Sequence, residues 1–432
     1  MSSAIEPHLP DPGPPFSGLN VEPGAHDDGW HTPHPVTLSD GTRIVLYKDG
    51  EGLRAAYEAI ARAKRMIGLE VYILRDDATG HAFVDLLCKK ASEGVHVYLI
   101  ADSFGSNHKK RHMFKALRKA GAHVAEFHQI RFWENKFSYR PWQRDHRKLL
   151  VVDDNIGGLG GLNIGDEYAA KWISHKAKTD WLMRDNAIGI VGPAASILRD
   201  AFAKTWRYTQ RGGPISRTLA VEHIHLDHRA KGLRIGKQKA RQKPSPPPAM
   251  MTAPIGLLAS APTLSSPLRP FLYSLLYHAH TSVRMIMAYF APDDQLVDQL
   301  CGAARRGVKV QLIFGAMSDW NFMIIAARSF YARLLDAGVE VYERQGAVLH
   351  AKTMTVDGRF SMIGSTNLDY RSIELNLESS AVIDSPEFCA DVNHLLDLDI
   401  QHSEQFKREE WEARGMRDRA VQWFISRMRY LL

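Results

Sequence analysis

Two short segments of the chain carry the same reactive side chains at the same spacing. His146 and Lys148 lie two residues apart, and so do His350 and Lys352. Side chains two residues apart on an extended segment point to one face of a strand, so each histidine and lysine can meet one substrate together. In both segments a glycine follows the histidine after fourteen residues. This recurrence favours a functional role for both histidines over a structural one.

Each segment is followed by an amide and then by a carboxylate. The amides are those of Asn163 and Asn367, and the carboxylates are those of Asp185 and Glu378. Each carboxylate stands eight residues before a proline. The same polar groups therefore occur twice in the same order. The sequence predicts that the two sets act together in one composite site.

Such a double set is suited to breaking a phosphodiester. One neutral imidazole can attack phosphorus and form a phosphohistidine, while the second, protonated imidazole gives a proton to the leaving alkoxide. The two lysines and two asparagines would hold the nonbridging oxygens with charge and hydrogen bonds. Because these lysines and asparagines would stabilise the negative charge that a Mg²⁺ or Zn²⁺ ion stabilises in other enzymes, we expect no metal and no other cofactor. The carboxylates of Asp185 and Glu378 would hold the Nδ1 protons of the histidines.

The elements that position these groups recur as well. Before the first set, helical and extended patterns alternate, with strands predicted at Met66–Leu74 and Val95–Ala101. About two hundred residues later the same order returns, with strands predicted at Val283–Phe290 and Gly307–Phe314. Alternating strands and helices are typical of a parallel or mixed sheet. The sequence thus predicts an α/β protein that arose by internal duplication.

Composition and charge narrow the class of protein and its partners. The 432 residues, 45% of them hydrophobic and 24% charged, are typical of a globular protein of two or three domains. The net charge of +7 favours an anionic partner, which is nucleic acid, anionic lipid or a phosphorylated small molecule. Cys88, Cys301 and Cys389 form no metal-binding or disulfide pattern. We find no secretory signal and no apolar run that could span a membrane.

Pattern and composition divide the chain into five parts. We expect a disordered N-terminal arm, a first α/β domain, a basic and proline-rich linker, a second α/β domain and a basic, amphipathic, helical C-terminal segment. Their predicted bounds are residues 1–38, 39–210, 211–262, 263–400 and 401–432. Seven lysines or arginines between Arg229 and Lys243 mark the linker, and such a run is more typical of a solvated loop than of a lipid-binding patch.

The two segments resemble the motif of the phospholipase D superfamily, H-x-K-x4-D-x6-G-S-x-N. The second segment matches it at His350, Lys352, Asp357, Gly364, Ser365 and Asn367. The first matches it at His146, Lys148, Asp153, Gly160 and Asn163, with Gly161 in the place of the serine. The resemblance implies two duplicated α-β-α sandwich domains with mixed sheets, related by a pseudo-twofold axis, and one composite active site between them. It also implies a metal-independent reaction through a phosphohistidine.

Within the superfamily, the residues around the motifs are similar to those of bacterial cardiolipin synthases. The likeness is carried by Arg144–Asp153, Gly160–Tyr168, Ala288–Asp293 and Gly364–Ser372. It implies transfer of a phosphatidyl group to the hydroxyl of phosphatidylglycerol, with phosphatidylethanolamine and cardiolipin as further candidate lipids. We find no paired N-terminal membrane helices, so the likeness is to the shorter, helix-free synthases.

We expect a monomer in the cytoplasm, peripheral on the inner face of the cell membrane and in contact with its anionic surface. Arg414–Leu432 mixes arginines with bulky apolar residues, which predicts either a helix on that surface or one packed on the domain. Two alternative activities stay open: a lipid hydrolase, with water as the acceptor, and a nuclease or other phosphodiesterase. The likeness around the motifs argues against nucleic acid as the partner, and two complete histidine–lysine pairs argue against a noncatalytic scaffold.

The remaining motif residues have expected roles of their own. Asp153 and Asp357 fall an odd number of residues after the lysine, which favours a turn or a structural ion pair over catalysis. Ser365 is a candidate phosphate-binding or turn residue, and Gly161 stands in the equivalent phosphate-binding place without a hydroxyl. By family likeness alone, we take His146 as the nucleophile and the second histidine as the acid and then the base.

Overall fold

The computed structural model describes most of the chain, with six gaps between its first and last described residues. The described residues are 29–106, 111–128, 143–169, 183–211, 251–260, 267–413 and 415. Within them the chain forms two large mixed sheets with helices packed against them. The predicted α/β class is confirmed.

The first half of the chain builds one of these sheets. Its strands are β1 (Val36–Thr37), β2 (Arg43–Lys48), β3 (Met66–Val71), β4 (His96–Asp102), β5 (His123–Phe127), β6 (Leu149–Val152), β7 (Ile156–Gly160), β8 (Met183–Arg184) and β9 (Asn186–Val191). Its helices are α1 (Gly50–Arg62), α2 (Ala78–Ser92), α3 (Arg111–Lys119) and α4 (Ala195–Arg211). The short strand β8 is an exception, because it pairs with the other sheet.

The second half repeats this plan. Its strands are β10 (Ile255–Ser260), β11 (Ser282–Met287), β12 (Lys309–Met317), β13 (Glu340–Leu349), β14 (Lys352–Val356), β15 (Phe360–Gly364), β16 (Glu378–Asp384) and β17 (Ser403–Phe406). Its α-helices are α5 (Leu268–Tyr277), α6 (Asp294–Arg305), α7 (Asn321–Arg328), α8 (Tyr331–Asp336), α9 (Pro386–Gln401) and α10 (Arg408–Glu412). A π-helical turn covers Arg371–Leu375.

Seven strands follow the same order in the two sheets, from β2 to β5 in the first and from β10 to β13 in the second, and β1 and β17 are additional edge strands. The first sheet has the order β1-β2-β9-β7-β6-β3-β4-β5, and the second has the order β10-β16-β15-β14-β11-β12-β13-β17. In each sheet three adjacent strands run parallel, β3-β4-β5 and β11-β12-β13. The equivalent strands β6 and β14 run antiparallel to β3 and β11 and directly follow the two histidine–lysine segments. The predicted duplication is therefore present in these seven strands.

Equivalent helices leave the carboxyl ends of the two equivalent strands β3 and β11. Helix α2 begins at Asp77, whose carboxylate accepts a hydrogen bond from the amide of Gly80 at 2.9 Å. Helix α6 begins at Asp293, whose carboxylate accepts one from the amide of Leu296 at 2.8 Å. Such caps satisfy amides that a helix terminus leaves unpaired. They fix the turns beside the edge of each sheet where the site lies.

The two halves meet through one shared apolar core. Phe202 of α4 and Phe388 of α9 belong to the same buried cluster as Ile188 and Ile383, which lie on strands of different sheets. Of two further large clusters, one lies within the second half, and the other lies in the first half except for Val348 of β13. Because the shared cluster draws on both sheets, neither half buries all of its apolar residues alone.

Three predicted boundaries need correction. Strand β10 pairs with β16 along its full length, so the segment 211–262 is not entirely a linker and the second sheet begins before residue 263. Strand β17 pairs with β13, so the second half extends past residue 400. Strand β1 pairs with β2, so the arm 1–38 ends in a strand. In each case the added strand covers backbone groups that an edge would otherwise expose.

Other predictions lie outside the described residues. These are the disorder of residues 1–28, the basic run at 229–243 and the amphipathic helix over most of 414–432. Within the residues that are described, no helix is long and apolar enough to cross a lipid bilayer.

Arg184 links the halves from inside the protein. Its side chain is 1% exposed and donates hydrogen bonds to the Asp399 carboxylate from Nη2 at 2.6 Å and from Nε at 2.8 Å. Its Nη1 donates to Asn186 Oδ1 and to the Asp185 carbonyl, each at 2.6 Å. Asp399 belongs to α9 of the second half, whereas Arg184 directly precedes Asp185. The Arg184–Asp399 pair therefore fixes the neighbouring Asp185, a predicted site carboxylate, relative to the second half.

The substitution Arg184→Ala is expected to lower the free energy of unfolding by about 3–5 kcal/mol, because it leaves the Asp399 carboxylate buried without this partner. Urea unfolding followed by circular dichroism measures the change. The matched control is Asp298→Ala, which removes an exposed partner of Arg333 and is expected to cost about 1 kcal/mol or less. Equal losses in the two variants would show that the Arg184 pair does not stabilise the junction.

Candidate active site

Backbone hydrogen bonds place each histidine–lysine segment against the opposite half. The amide of His146 donates to the carbonyl of Leu377 at 2.9 Å, and the amide of His350 donates to the carbonyl of Arg184 at 2.8 Å. Leu377 and Arg184 each directly precede one of the predicted carboxylates. The contact is reciprocal, as in an interface between two copies related by a twofold axis. It brings all four segments to one place.

The histidines and carboxylates pair crosswise between the halves. The Nδ1 atom of His146 lies 3.0 and 3.1 Å from the two carboxylate oxygens of Glu378. The Nδ1 atom of His350 lies 2.7 Å from Asp185 Oδ2. With Nδ1 engaged in this way, Nε2 of each ring is the atom left for a reacting phosphorus. The sequence predicted that these carboxylates orient the histidines but did not show that each serves the other half.

The two lysines lie beside the two rings and are buried. Lys148 Nζ donates a hydrogen bond to the carbonyl of His146 at 2.6 Å, and Lys352 Nζ donates one to the carbonyl of His350. Each lysine is thus held by the backbone of the histidine two residues earlier. An ammonium group has three protons, so further donors can serve an anionic ligand.

The two asparagines occupy equivalent places but differ in their partners. Asn163 Nδ2 donates to the hydroxyl of Tyr168 at 2.9 Å, and its Oδ1 accepts from the amide of Ile73 at 3.2 Å. Asn367 is also buried, but its Oδ1 has no hydrogen-bond partner within the described part of the chain. Since a buried amide oxygen without a partner is costly, Asn367 is the member of the pair more ready to bind a ligand.

Ser365 and Gly161 each lie against one of the two site carboxylates. The Ser365 hydroxyl is buried and donates to Glu378 Oε2 at 2.5 Å, so it supports the carboxylate that holds His146. A Cβ atom at Gly161 would lie 2.2 Å from Asp185 Oδ1. The glycine therefore lets the shorter carboxylate of Asp185 sit directly against the backbone. Both positions thus act on the carboxylates, and phosphate binding by them stays a prediction.

Asp153 and Asp357 lie at the far ends of β6 and β14 from the lysines. The Asp153 carboxylate accepts hydrogen bonds of 2.7 to 2.9 Å from three consecutive backbone amides, those of residues 64–66. The Asp357 carboxylate likewise accepts hydrogen bonds from the backbone amides of residues 280–282, at 2.7 to 3.1 Å. Both have positive φ, 50° and 54°. The contacts are those of turn residues that join the start of β3 or β11 to the neighbouring hairpin.

Two tyrosines missed by the sequence argument contact the histidine rings. The ring of Tyr72 meets His146 edge to face at a centroid distance of 4.8 Å, and Tyr168 meets His350 in the same way at 5.5 Å. Lys148 Nζ lies 5.4 Å from the centre of the Tyr72 ring. Tyr72 directly follows β3, and that position at a strand end was the available signal. The tyrosines limit where the imidazoles can turn.

Asp319 is a third carboxylate near the second histidine. It lies two residues after β12, and its Oδ1 accepts a hydrogen bond from the Tyr289 hydroxyl at 2.5 Å. Burial tends to raise the pKa of Asp319, but the charge of His350 and the Tyr289 hydrogen bond outweigh it and hold the pKa below its usual value. No motif spacing identified this residue in the sequence.

Burial and like charges set the protonation of the site. Burial lowers the pKa of His146 well below its usual value, and Lys148 acts in the same direction. Burial also lowers the pKa of His350, with Lys352 adding to the effect. It lowers the pKa of Lys148 to about 7 and raises the pKa of Glu378 to about 7. A neutral imidazole is therefore favoured at His146, as a nitrogen nucleophile requires.

A potential metal-ligand group lies apart from these residues. Within the described residues, the donor atoms of Asp76, His81 and His112 lie within 4.8 Å of one another, and all three side chains are exposed. The site itself offers two lysines beside its histidines, and an ammonium group competes with a cation for the same place.

Two histidine–lysine segments that exchange carboxylates across a duplicated mixed-sheet fold define a protein of the phospholipase D-like class. A family model described as "Cardiolipin synthase, PLD-like domain" matches residues 57–180 and 272–399, more than half of the chain. The chain belongs to this family, which confirms the resemblance stated from the motifs.

Relatives and solved structures agree with this membership. The cardiolipin synthase of Geobacillus thermodenitrificans (strain NG80-2) is 31% identical over 403 residues, which cover 91% of this chain and 73% of the relative. The cardiolipin synthase of Geobacillus sp. (strain WCH70) is 32% identical over 353 residues, which cover 81% of this chain and 64% of the relative. The fold is similar to that of phosphatidylserine synthase from Haemophilus influenzae Rd KW20, with a TM-score of 0.65 and 15% identity over 92% of this chain and 97% of that one.

The lowered pKa of Lys148 predicts pH-dependent anion binding. Lys148 is charged below a pKa of about 7 and neutral above it, so affinity for a phosphodiester should fall as the pH rises through this value. Loss of one charged hydrogen-bond donor of about 1.5 kcal/mol corresponds to about tenfold weaker binding. Calorimetric titration with glycerophosphoglycerol, which keeps one negative charge over this pH range, measures the change in affinity.

Two variants test whether Lys148 is the group that titrates. The substitution Lys148→Gln should reduce the step near neutral pH to the part that comes from Glu378, whose pKa is also about 7. Lys309→Gln, at an exposed position at the start of β12, should leave the full step in place. A step of wild-type size in Lys148→Gln would contradict the assignment.

Proposed function

We propose that the chain transfers a phosphatidyl group from one anionic glycerophospholipid to the hydroxyl group of a second, through a phosphohistidine and without a metal. The observation that carries the proposal is the crosswise pairing of His146 with Glu378 and of His350 with Asp185. It gives two imidazoles with Nδ1 engaged in one site. Membership of a cardiolipin synthase family supports a phosphatidyltransferase.

In the first step, Nε2 of His146 attacks the phosphorus of the donor lipid. The bond between phosphorus and the leaving headgroup oxygen breaks, and His350 gives that oxygen a proton. The product of this step is a phosphatidyl group bonded to His146, with a neutral His350. Glu378 stabilises the charge that develops on the attacking ring, as a carboxylate does for the histidine of a serine hydrolase.

In the second step, the acceptor hydroxyl attacks the same phosphorus. His350 takes the hydroxyl proton, the new phosphorus–oxygen bond forms, and the phosphorus–nitrogen bond to His146 breaks. Both histidines return to their starting states. Water in place of the alcohol would give the hydrolase that the sequence left open, since the same groups serve either acceptor.

The remaining polar groups hold the phosphoryl oxygens. Lys148 and Lys352 bring positive charge to an almost fully buried place, where electrostatic stabilisation of a developing anion is strongest. Asn367 adds a buried amide, whose NH₂ group can donate hydrogen bonds to these oxygens. The assignment of His146 as the nucleophile draws support from its pKa, which is lowered well below the usual value.

The proposed lipids follow from the relatives and from the charge of the chain. The matched relatives are named cardiolipin synthases, and cardiolipin is a phosphatidylglycerol that has received a second phosphatidyl group. We therefore take phosphatidylglycerol as the acceptor and as one donor, with cardiolipin and phosphatidylethanolamine as other donors. The net charge of +7 suits anionic lipids at the cytoplasmic membrane surface, where we place a peripheral monomer.

Exposed apolar side chains support contact with that membrane. Within the described residues, three large hydrophobic side chains are exposed: Phe104 at 61%, Met317 at 40% and Trp320 at 59%. Phe104 lies eight residues after the start of β4, and Met317 lies eight after the start of the equivalent strand β12. The two halves thus expose apolar residues at equivalent positions.

These positions flank the site. The Phe104 ring lies 5.4 Å from the guanidinium of Arg144, and Met317 pairs with Val348. Arg144 and Val348 each stand two residues before a site histidine. The phosphate of a lipid in a bilayer can reach the histidines only if the bilayer lies against the surface around them. We propose that these apolar residues enter it.

A product assay tests the function. Wild-type protein incubated with phosphatidylglycerol vesicles should form cardiolipin and glycerol, and His350→Asn incubated with radiolabelled donor should accumulate label on His146. His278→Asn, a histidine to which we assign no role, is the control and should behave as wild type. Release of phosphatidic acid alone would indicate a hydrolase, nicking of a plasmid would indicate a nuclease, and label on His350 in His146→Asn would reverse the histidine roles.

A vesicle assay tests the membrane contact. The double variant Phe104→Ala, Trp320→Ala should bind phosphatidylglycerol vesicles at least about tenfold more weakly, because each large side chain moved out of water contributes about 1.5–3 kcal/mol. Co-sedimentation measures the bound fraction. The control, His96→Ala with Lys309→Ala, changes exposed residues at the opposite ends of β4 and β12. Equal binding by both double variants would place the membrane contact elsewhere.

A further inference from the structure

A cavity lies between helix α1 and the first sheet. Its volume is about 90 Å³, and the empty space in and around it, open solvent included, is about 690 Å³. Its walls are almost entirely apolar, and many of the side chains are small. Among the lining residues are Gly52, Ala55, Ala56, Ala59, Gly158 and Gly189. Among the described residues that line it, Lys148 and Glu70 are the charged ones.

The cavity results from a difference between the two halves. Gly158 of β7 pairs with Gly189 of β9, and neither has a side chain to place beneath α1. In the second half, Met362 of β15 pairs with Val382 of β16 at the equivalent positions. Those two side chains are 2% and 0% exposed and belong to the packed core under α5. The two halves thus share a fold, but there is space at the glycine pair of the first half and none at the equivalent pair of the second.

The backbone at Gly158 has room for a side chain. A Cβ atom there would meet Leu150 Cβ at 3.4 Å and no other atom closer than 3.9 Å, which is ordinary van der Waals contact. A well-packed core rarely leaves such room unused, because the residues that line a void lose their packing contacts. The glycine pair is therefore unusual for packing and consistent with a binding role.

Tyr47 is a second observation that indicates a ligand. It lines the cavity, its side chain is 3% exposed, and its hydroxyl has no hydrogen-bond partner within the described residues. A buried hydroxyl without a partner is costly, and a ligand with an acceptor oxygen would remove that cost. An ester carbonyl next to a hydrocarbon chain has this chemistry.

Lys148 connects the cavity to the reaction site. It is part of the cavity lining, and its ammonium is hydrogen bonded to the carbonyl of His146. A ligand that fills the cavity therefore has an apolar body and an anionic group at the lysine end. Among the substrates of the proposed function, only a lipid combines a phosphodiester with a long apolar chain.

We propose that the cavity beneath α1 binds one acyl chain of the lipid whose phosphate lies at Lys148. This inference rests on the proposed function, since it takes a phospholipid as the substrate. It makes the first half the chain-binding half and gives the enzyme a preference for long chains. The apolar lining contributes to affinity in proportion to the chain length that it covers.

The substitution Gly158→Met tests the proposal by giving the first half the side chain that the second half already has. The ratio of kcat/KM for dioleoylphosphatidylglycerol to that for dihexanoylphosphatidylglycerol, both in mixed detergent micelles, should fall by about tenfold, as expected when a hydrophobic pocket loses the space for part of its ligand. The control is Met362→Leu, a volume-conserving change in the equivalent row, which should keep the wild-type ratio. An unchanged ratio in folded Gly158→Met would overturn the proposal.

Two further measurements keep the test decisive. Should Gly158→Met not fold, Ala59→Leu narrows the cavity from the helix side and should lower the same ratio. Calorimetric binding of myristoyl lysophosphatidylglycerol below its micelle concentration, compared with glycerophosphoglycerol, reports chain binding without turnover. Wild-type protein that binds the lysolipid more tightly yet forms no transfer product would support the cavity and refute the proposed function. Equal binding of the two probes would refute the cavity even if transfer is observed.

Discussion

The hydrogen bonds between each histidine and the carboxylate of the opposite half are the constraint on which the rest of the molecule depends. His146 needs Glu378, and His350 needs Asp185, so neither half contains a complete set of oriented groups. The reciprocal backbone contacts, the shared apolar core and the buried Arg184 pair all keep these two contacts in register. A shift of either half by one residue would part both imidazoles from their carboxylates at once.

The duplicated halves have diverged where their roles differ. Ser365 supplies a hydroxyl to Glu378, whereas Gly161 lets Asp185 lie against the backbone, so two different carboxylates reach equivalent histidines. A longer side chain with a hydroxyl partner and a shorter one without it are two solutions to the same geometric problem. The unequal environments also separate the two histidines chemically, which a symmetric site could not do.

Much of the fold and most of the site could be predicted from the sequence, because both depend on patterns that repeat within it. Matched spacing identified both histidine–lysine pairs, and alternating strands and helices identified the α/β class. The crosswise pairing could not be predicted, because spacing along a chain carries no information on which half a side chain faces. Tyr72 and Asp319 were missed for a related reason: they come from strand ends outside the motifs. The contact of Ser365 with Glu378 could not be predicted either, because a hydroxyl after a glycine suits a phosphate and a carboxylate equally well.

Because of the crosswise pairing, the site can form only late in the synthesis of the chain. Glu378 is 232 residues from His146, so the first reactive ring stays without its partner until most of the second half has emerged from the ribosome. A truncated translation product would carry a complete first motif and still lack a correctly oriented imidazole. The site proposed to act on phospholipids is thereby absent from every copy of the chain that ends before Glu378.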